Sequence, residues 1–243
     1  MIYFIGAGPG DPELLTIKAQ KILRQADAVL YTGSLVPREV LGWCREDALI
    51  VDSQGMKYPE IFAFLDAHRD EVTVRLHTGD PSLYSTLARQ VAFLEEAGIA
   101  YTVVPGITAA FGAAASLGIE YTLPGVSQTM VLTRIEGHTP NPEPLRRILA
   151  LRHSSLVFYL SIRLIDTLRA TALEMGYAPD TPCWVVEKAT WEAETIHRAT
   201  LTTIGEQVGH IRGVALILLG DFLHQQERES SHLYTQPLQK EHK

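Results

Sequence analysis

Apolar positions along the first half of the chain follow two alternating periods. Short, nearly continuous apolar runs over 2–5, 28–31, 48–52, 72–77 and 101–104 predict strands buried on both faces. Between them the apolar residues recur at helical spacing. Over 12–25 they are Leu14, Leu15, Ile22 and Leu23, with Lys18 on the same spacing, and further helices are predicted over 37–43, 58–68, 83–96 and 107–117. Gly98 and Gly118 stand where the last two would be capped. Strand–helix alternation of this kind implies a mostly parallel sheet with helices on both faces.

From about Glu120 the pattern changes. Residues 128–134 alternate, a Pro/Gly/Asn segment over 137–144 reads as a loop, and a helix is predicted over 143–151. A strand over 156–160, a helix over 162–175 and a strand over 182–187 follow. Residues 194–201 and 214–219 read as a strand pair separated by a helix over 202–210, which makes this sheet mixed. The expected architecture is α/β in two lobes with a cleft between them: an N-terminal lobe over 1–118, a C-terminal lobe over 119–223, and a polar tail over 224–243.

Three of the first lobe's strands run into glycine-containing turns followed at once by a helix: Gly6-Ala-Gly-Pro-Gly-Asp11, Thr78-Gly-Asp-Pro81 and Pro105-Gly-Ile-Thr-Ala109. In a parallel sheet all three lie at the carboxyl edge, where α/β proteins bind ligands. Asp11 before Pro12 and Asp80 before Pro81 are also good N-cap chemistry, and Thr108 can cap a helix as well, so cap and ligand loop are compatible readings of the same residues. The first loop is not a dinucleotide fingerprint. Its third glycine position is Asp11, and the next strand ends in Tyr31-Thr-Gly33 rather than in a ribose-binding acid.

Composition narrows the function. The net charge of −7, from 28 acidic and 21 basic residues, disfavours a nucleic-acid protein, which needs a basic face. No apolar run approaches the roughly 18 residues of a membrane span, and the N-terminus has no basic segment ahead of an apolar one, so the expected location is the cytoplasm. Cys44 and Cys183 lack metal spacing and read as buried thiols, and the nine histidines form no metal motif. No nucleophile–base arrangement, P-loop or paired carboxylate stands out. That residue set suits a reaction in which the protein positions a reactive cofactor against its substrate.

In this order, GAGPGDPELLTIKA at 6–19, RLHTGDPSLY at 75–84, VVPGITAAFGAAA at 103–115, FYLS at 158–161, VVEKATW at 185–191 and ALILLGDF at 215–222 resemble the tetrapyrrole (corrin/porphyrin) methyltransferase family. The resemblance spans about residues 1–223. Within it, residues 30–36, 132–137 with Thr139-Pro140, and Lys188-Ala-Thr-Trp191 are similar to the branch that methylates carbon-11 of precorrin-4, with or without cobalt, in cobalamin biosynthesis. Four positions depart from that branch: His138 stands where an arginine is usual, Asn141 where a valine is, Glu187 where a tyrosine is and Glu192 where a proline is.

The resemblance implies a homodimer using S-adenosylmethionine, with no protein-bound metal, on a small-molecule tetrapyrrole; the charge and the apolar pattern add the expectation of no nucleic-acid or membrane partner. It implies cofactor contacts at Pro9, Thr78, Gly79, Asp80, Leu83, Thr108, Ala109, Leu160, Ala189 and Ala215. Tyr84, Arg134, His138 and Lys188 are candidates for the substrate, joined by Arg38 and Lys57 as further cations for its carboxylates. Asp11 and His138 are candidate proton acceptors. Methylation at another tetrapyrrole position, as in uroporphyrinogen or precorrin-2, and a non-catalytic tetrapyrrole-binding module stay open as alternatives.

Overall fold

The structure, a computed structural model, describes residues 1–137 and 140–224. They form two compact units: Met1–Ala113 with Lys188–Glu194, and Ala114–Glu187 with the chain from Thr195 onward.

The first unit is built on a five-stranded sheet in the order β3-β2-β4-β1-β5, every neighbour parallel. Its strands are β1 (Ile2–Gly6), β2 (Ala28–Tyr31), β3 (Leu49–Asp52), β4 (Thr73–His77) and β5 (Tyr101–Val104). Strands β2 and β4 are buried along their whole length, and β1 at all but Tyr3, which is why they read as unbroken apolar runs. The edge strand β3 is largely exposed. Helix α1 (Ile17–Leu23) packs Ala19 and Leu23 on one face against Ile5, Val74 and Leu76. Helices α2 (Tyr58–Ala67) and α3 (Leu87–Glu96) cover the other face, where Leu65 and Leu94 meet Ile2, Phe4 and Leu30. Full burial of each such side chain contributes roughly 1.5–3 kcal/mol. Helix α4 (Ala109–Leu117) follows β5.

The second unit carries a mixed sheet in the order β6-β7-β10-β8-β9. Strands β6 (Thr129–Thr133) and β7 (Ser154–Phe158) are parallel, whereas β8 (Pro182–Glu187), β9 (Thr195–Thr200) and β10 (Ala215–Leu219) join through antiparallel ladders. Helices α5 (Leu145–Leu149), α6 (Ile165–Glu174) and α7 (Ile204–Val208) accompany it. Its core gathers Leu156, Phe158, Leu168, Val185, Ile204, Ile217 and Leu219. Among the described residues no helix is long and apolar enough to cross a membrane.

Several expectations are corrected. The helix expected over 12–25 breaks into a 3-10 turn, Pro12–Leu14, and α1. Leu15 is extended, and the Thr16 hydroxyl accepts from the Ala19 N–H to start the second piece. The helix expected from residue 83 starts only at Leu87, because Tyr84 and Thr86 are left-handed at φ 54° and 61°. The strand expected over 156–160 lies two residues earlier, at Ser154–Phe158. Residues 194–201 and 214–219 do not form a pair: β8 lies between β9 and β10 and bonds to both. Cys183 is buried as expected, but Cys44 is only partly so. Burial pushes both thiols up, to about 12 and about 11 respectively, so both resist ionisation at neutral pH. Beyond His224, the expected polar tail lies outside the described residues.

Candidate active site

Because β1–β5 are parallel, the loops that leave Gly6, Tyr31, Asp52, His77 and Val104 all gather at one edge of the first sheet. Three of them touch backbone to backbone. Gly8 and Gly79 exchange a pair of hydrogen bonds, Gly79 N–H to Gly8 O at 2.8 Å and Gly8 N–H to Gly79 O at 3.2 Å. A β-carbon placed on Gly6 would stand 2.6 Å from both the Gly106 Cα and the Gly79 oxygen, closer than packing permits. The junction of the three loops therefore requires glycine at Gly6 and Gly106.

The Asp80 carboxylate joins two of these loops. Its Oδ2 accepts from the Gly106 N–H at 2.8 Å, and its Oδ1 accepts from the Ser82 N–H at 2.8 Å and from the Ser82 hydroxyl. Partial burial pushes its pKa up, but the donors from Ser82 and Gly106 outweigh that and hold it below the usual carboxylate range. Asp80 is thus both the cap of its own turn and a brace for the loop that carries Thr108 and Ala109.

The segment Lys188–Glu194 belongs to this unit and fastens the first glycine loop. Thr190 Oγ1 accepts from the Asp11 N–H at 3.1 Å, and Trp191 Nε1–H donates to the Pro9 carbonyl at 3.0 Å. Lys188 and Thr190 are left-handed, at φ 51° and 67°. They are held there by Trp191 N–H to Lys188 O at 2.9 Å and by the Glu194 carboxylate, which accepts the Thr190 N–H at 2.6 Å. Non-glycine residues at positive φ cost of order 1–3 kcal/mol each and collect at ligand sites. Among the described residues there are five, Tyr84, Thr86, Leu160, Lys188 and Thr190, and four of them fall within the quoted motif blocks.

Beside these loops the first unit has a concavity of about 650 Å³, within the roughly 300–1,000 Å³ of small-molecule sites. Gly10, Asp11, Gly33, Arg38, Thr190 and Trp191 are among its walls. Arg38 is exposed there, and Asp11 Oδ1 accepts from the Glu13 N–H at 2.8 Å.

The ten candidate cofactor residues divide between the units. Pro9, Thr78, Gly79, Asp80, Leu83, Thr108, Ala109 and Ala189 lie in the first, on the glycine loops, the loop that carries Leu83, or the fastening segment. Leu160 and Ala215 lie in the second unit. Continuing the β7–β10 register, in which Ile217 faces Phe158, places Ala215 opposite Leu160 at one edge of that sheet. Leu160 combines φ 53° with 70% exposure, a strained apolar side chain presented to solvent.

Of the substrate candidates, Tyr84 is 42% exposed at the exit from β4, and Lys188 is partly buried in the fastening segment. Arg134 lies in the second unit, and its guanidinium donates to the Pro140 carbonyl of its own loop. His138 lies outside the described residues. Lys57 is exposed at the N-terminus of α2. Among the described residues no three His, Cys, Asp or Glu side chains group as a metal site would.

Sequence reasoning missed the roles of Gly10 and Gly33 as cavity walls and the buried polar side chains beneath the loops. Arg75 and His77 are each 6% exposed, on the face of β4 that packs toward α2 and α3. Their only signal was a polar residue at every second position of an apolar strand.

A family model described as Tetrapyrrole (Corrin/Porphyrin) Methylases matches residues 1–205. The chain is 40% identical to the cobalt-precorrin-4 C(11)-methyltransferase of Methanocaldococcus jannaschii, covering all of this chain and 95% of that protein. It is 42% identical to the precorrin-4 C(11)-methyltransferase of Rhodococcus erythropolis over 96% of each. Among solved structures, an X-ray structure described as a cobalamin biosynthetic enzyme, cobalt precorrin-4 methyltransferase, superposes with a TM-score of 0.87 at 37% identity, covering 91% of this chain and 95% of that one. The uroporphyrin-III C-methyl transferase of Thermus thermophilus, complexed with S-adenosyl homocysteine, gives 0.77 at 31% identity, covering 92% and 98%. On the family match, the end-to-end identity and the glycine-loop edge together, the chain belongs to the tetrapyrrole (corrin/porphyrin) methylase family.

Proposed function

We propose that this protein is an S-adenosylmethionine-dependent methyltransferase that methylates carbon-11 of precorrin-4, or of its cobalt form, in cobalamin biosynthesis. The observation that carries the reading is identity of about 40% along essentially the whole chain to relatives bearing that activity in their names. The three glycine-containing loops stand intact beside it.

The loop edge fits the cofactor. Gly6 and Gly106 let the three loops close on one another where any β-carbon would meet backbone, and Asp80 braces the junction. Pro9, Thr78, Gly79, Asp80, Leu83, Thr108, Ala109 and Ala189 would hold S-adenosylmethionine, and Leu160 and Ala215 are further candidates for it. When bound, the cofactor supplies an electrophilic methyl group on a sulfonium.

The chain's own part is positioning. The mutual hydrogen bonds of the glycine junction fix the loops that would carry the cofactor contacts, so that little of the site would need to reorganise. The macrocycle would lie along the concavity walled by Gly33, Arg38 and Trp191. Arg38, Lys188 and Tyr84 would meet its carboxylate arms and rim. A protein of net charge −7 needs such local cations to attract a polyanion. Asp11, on the cavity wall with Oδ1 held by Glu13, is the candidate to take up a proton. The active form would be a cytoplasmic homodimer.

The test has two stages. Calorimetric titration with S-adenosylhomocysteine should give stoichiometric binding in the micromolar range. Incubation with S-adenosylmethionine and precorrin-4, metal-free or cobalt-loaded, should then give a product heavier by one methyl group, placed on carbon-11 by NMR. A methyl group on another ring carbon moves the assignment within the family, and a folded protein that binds no S-adenosylhomocysteine overturns it.

A further inference from the structure

Arg75 is a buried cation whose hydrogen-bond partners are all neutral. It sits on β4 directly under the loop edge, 6% exposed. Its Nη1 donates to Ser53 Oγ at 2.9 Å and to the Leu30 carbonyl at 3.2 Å, and its Nη2 reaches Thr32 Oγ1 at 3.5 Å. Its Nε donates to Gln90 Oε1 at 3.3 Å. Burial lowers the guanidinium to about 10 while Asp52 acts through space to raise it, so it remains charged at neutral pH. An arrangement that keeps a charge out of water with no carboxylate among its hydrogen-bond partners is costly, and the fold retains it.

The partners give a reason. Leu30 and Thr32 belong to the exit of β2, and Ser53 to the exit of β3. Gln90, on α3, passes the link on, donating from Nε2 to Thr86 Oγ1 at 3.2 Å and to Thr86 O at 3.5 Å. Thr86 is one of the strained residues in the loop that leaves β4 and presents Leu83 and Tyr84. A single guanidinium fork thus connects the loops leaving β2, β3 and β4.

Proton polarity within this cluster is determined. Ser53 Oγ donates to the Tyr31 carbonyl at 2.8 Å. Thr32 Oγ1, 3.1 Å from Ser53 Oγ, must then donate to it, and both hydroxyl oxygens accept from Arg75. Lysine has three donors around one nitrogen and cannot span these partners as a planar fork does. The neighbouring Gly33 N–H is taken by Asp52 Oδ1 at 2.8 Å, so the Thr32–Gly33 corner is fixed from beneath at every step. That corner leads directly into the cavity wall formed by Gly33, Val36, Pro37 and Arg38.

We propose that Arg75 is a positioning residue for the methyl-accepting macrocycle: by clamping Thr32, Ser53 and, through Gln90, Thr86, it sets the line of the cavity wall against which the tetrapyrrole is held. The inference rests on the methyltransferase reading above. None of the hydrogen bonds that Arg75 makes runs to the Gly6–Gly79–Gly106 junction or to Asp80.

The test uses the full-length protein with Arg75→Lys and Thr32→Val, each checked for native circular dichroism. The measured quantities are KM for the macrocycle, kcat, and the S-adenosylhomocysteine dissociation constant. Arg75→Lys should raise KM on the order of tenfold, as expected for loss of a charged hydrogen-bond network, while the dissociation constant, which this network reaches only through Thr86 to the loop of one candidate contact, Leu83, changes less than about twofold. Thr32→Val should raise KM in the same direction by a smaller factor. An unchanged KM in folded Arg75→Lys overturns the proposal, and so does a parallel loss of both affinities, which marks general loosening. Should Arg75→Lys fail to fold, Thr32→Val decides alone, a raised KM supporting the proposal and an unchanged one overturning it. A wild type that binds S-adenosylhomocysteine but methylates neither macrocycle overturns the functional reading and this inference together, an outcome distinct from an active wild type whose variants keep KM.

Discussion

His77 ends β4 one residue before Thr78-Gly79-Asp80, and its Nε2 is buried without a hydrogen-bond partner. The ring lies 5.9 Å from that of Phe4. Burial, reinforced by the nearby Arg75 charge, lowers its pKa to about 3. The folded protein therefore holds the neutral imidazole where the unfolded chain, titrating near about 6.5, would protonate. Between these values the unfolded state binds more protons, so stability is fully present above about pH 6.5 and declines as pH falls toward 3. His77→Phe should flatten that slope, measured as urea midpoints from pH 7 to 4. Parallel slopes in wild type and variant would show that other groups carry the acid sensitivity. Arg75 and His77 share a reason for being hard to read in sequence. Alternation places them on one face of β4, but nothing in RLHTGDPSLY says that this face is covered by α2 and α3.

The fastening segment Lys188–Glu194 acts as an element although it has no regular structure. Its Trp191 ring fills the space beside Gly10, where an added β-carbon would stand 2.7 Å from Trp191 Nε1. Gly10 is not at positive φ, and the three atoms nearest an added β-carbon all belong to this ring. Gly10→Ala should destabilise the protein by about 1–3 kcal/mol through overpacking. Trp191→Ala should lose packing together with the hydrogen bond to Pro9. In the double variant the two losses should fall short of their sum by more than about 0.5 kcal/mol, measured by denaturant unfolding. Additive losses would show that the ring does not pack as described.

At the same scale, β1, β2 and β4 were legible because parallel, doubly buried strands leave continuous apolar runs. Helix starts were less so. Thr16 was a readable cap masked by the spacing of Leu14, Leu15 and Ile22. The left-handed Tyr84 and Thr86 that delay α3 carry no cue, since only glycine advertises that conformation. Strand neighbours in the second sheet were hidden for another reason: β10 inserts between β7 and β8, a pairing far apart in sequence that no local pattern records.

The chain leaves the first unit after Ala113, returns for Lys188–Glu194, and leaves again. The candidate cofactor residues follow that path, eight in one unit and two, Leu160 and Ala215, in the other. The motif blocks made these positions readable one by one, while their division between two cores emerges only from the fold. S-adenosylhomocysteine at a hundredfold excess over its dissociation constant should stabilise the protein by about 2.7 kcal/mol, which for a chain of this size raises Tm by roughly 5–10 °C. If both sets of residues hold the cofactor, hydrogen exchange should slow on binding at 78–80 and 106–109 of the first unit, and also at 159–161 and 213–215 of the second. Strand β3, an exposed edge with one partner, should be indifferent. Protection confined to the first unit would remove Leu160 and Ala215 from the site. It would also leave the strain at Leu160, a leucine at φ 53° and 70% exposed, to be explained by something other than the cofactor.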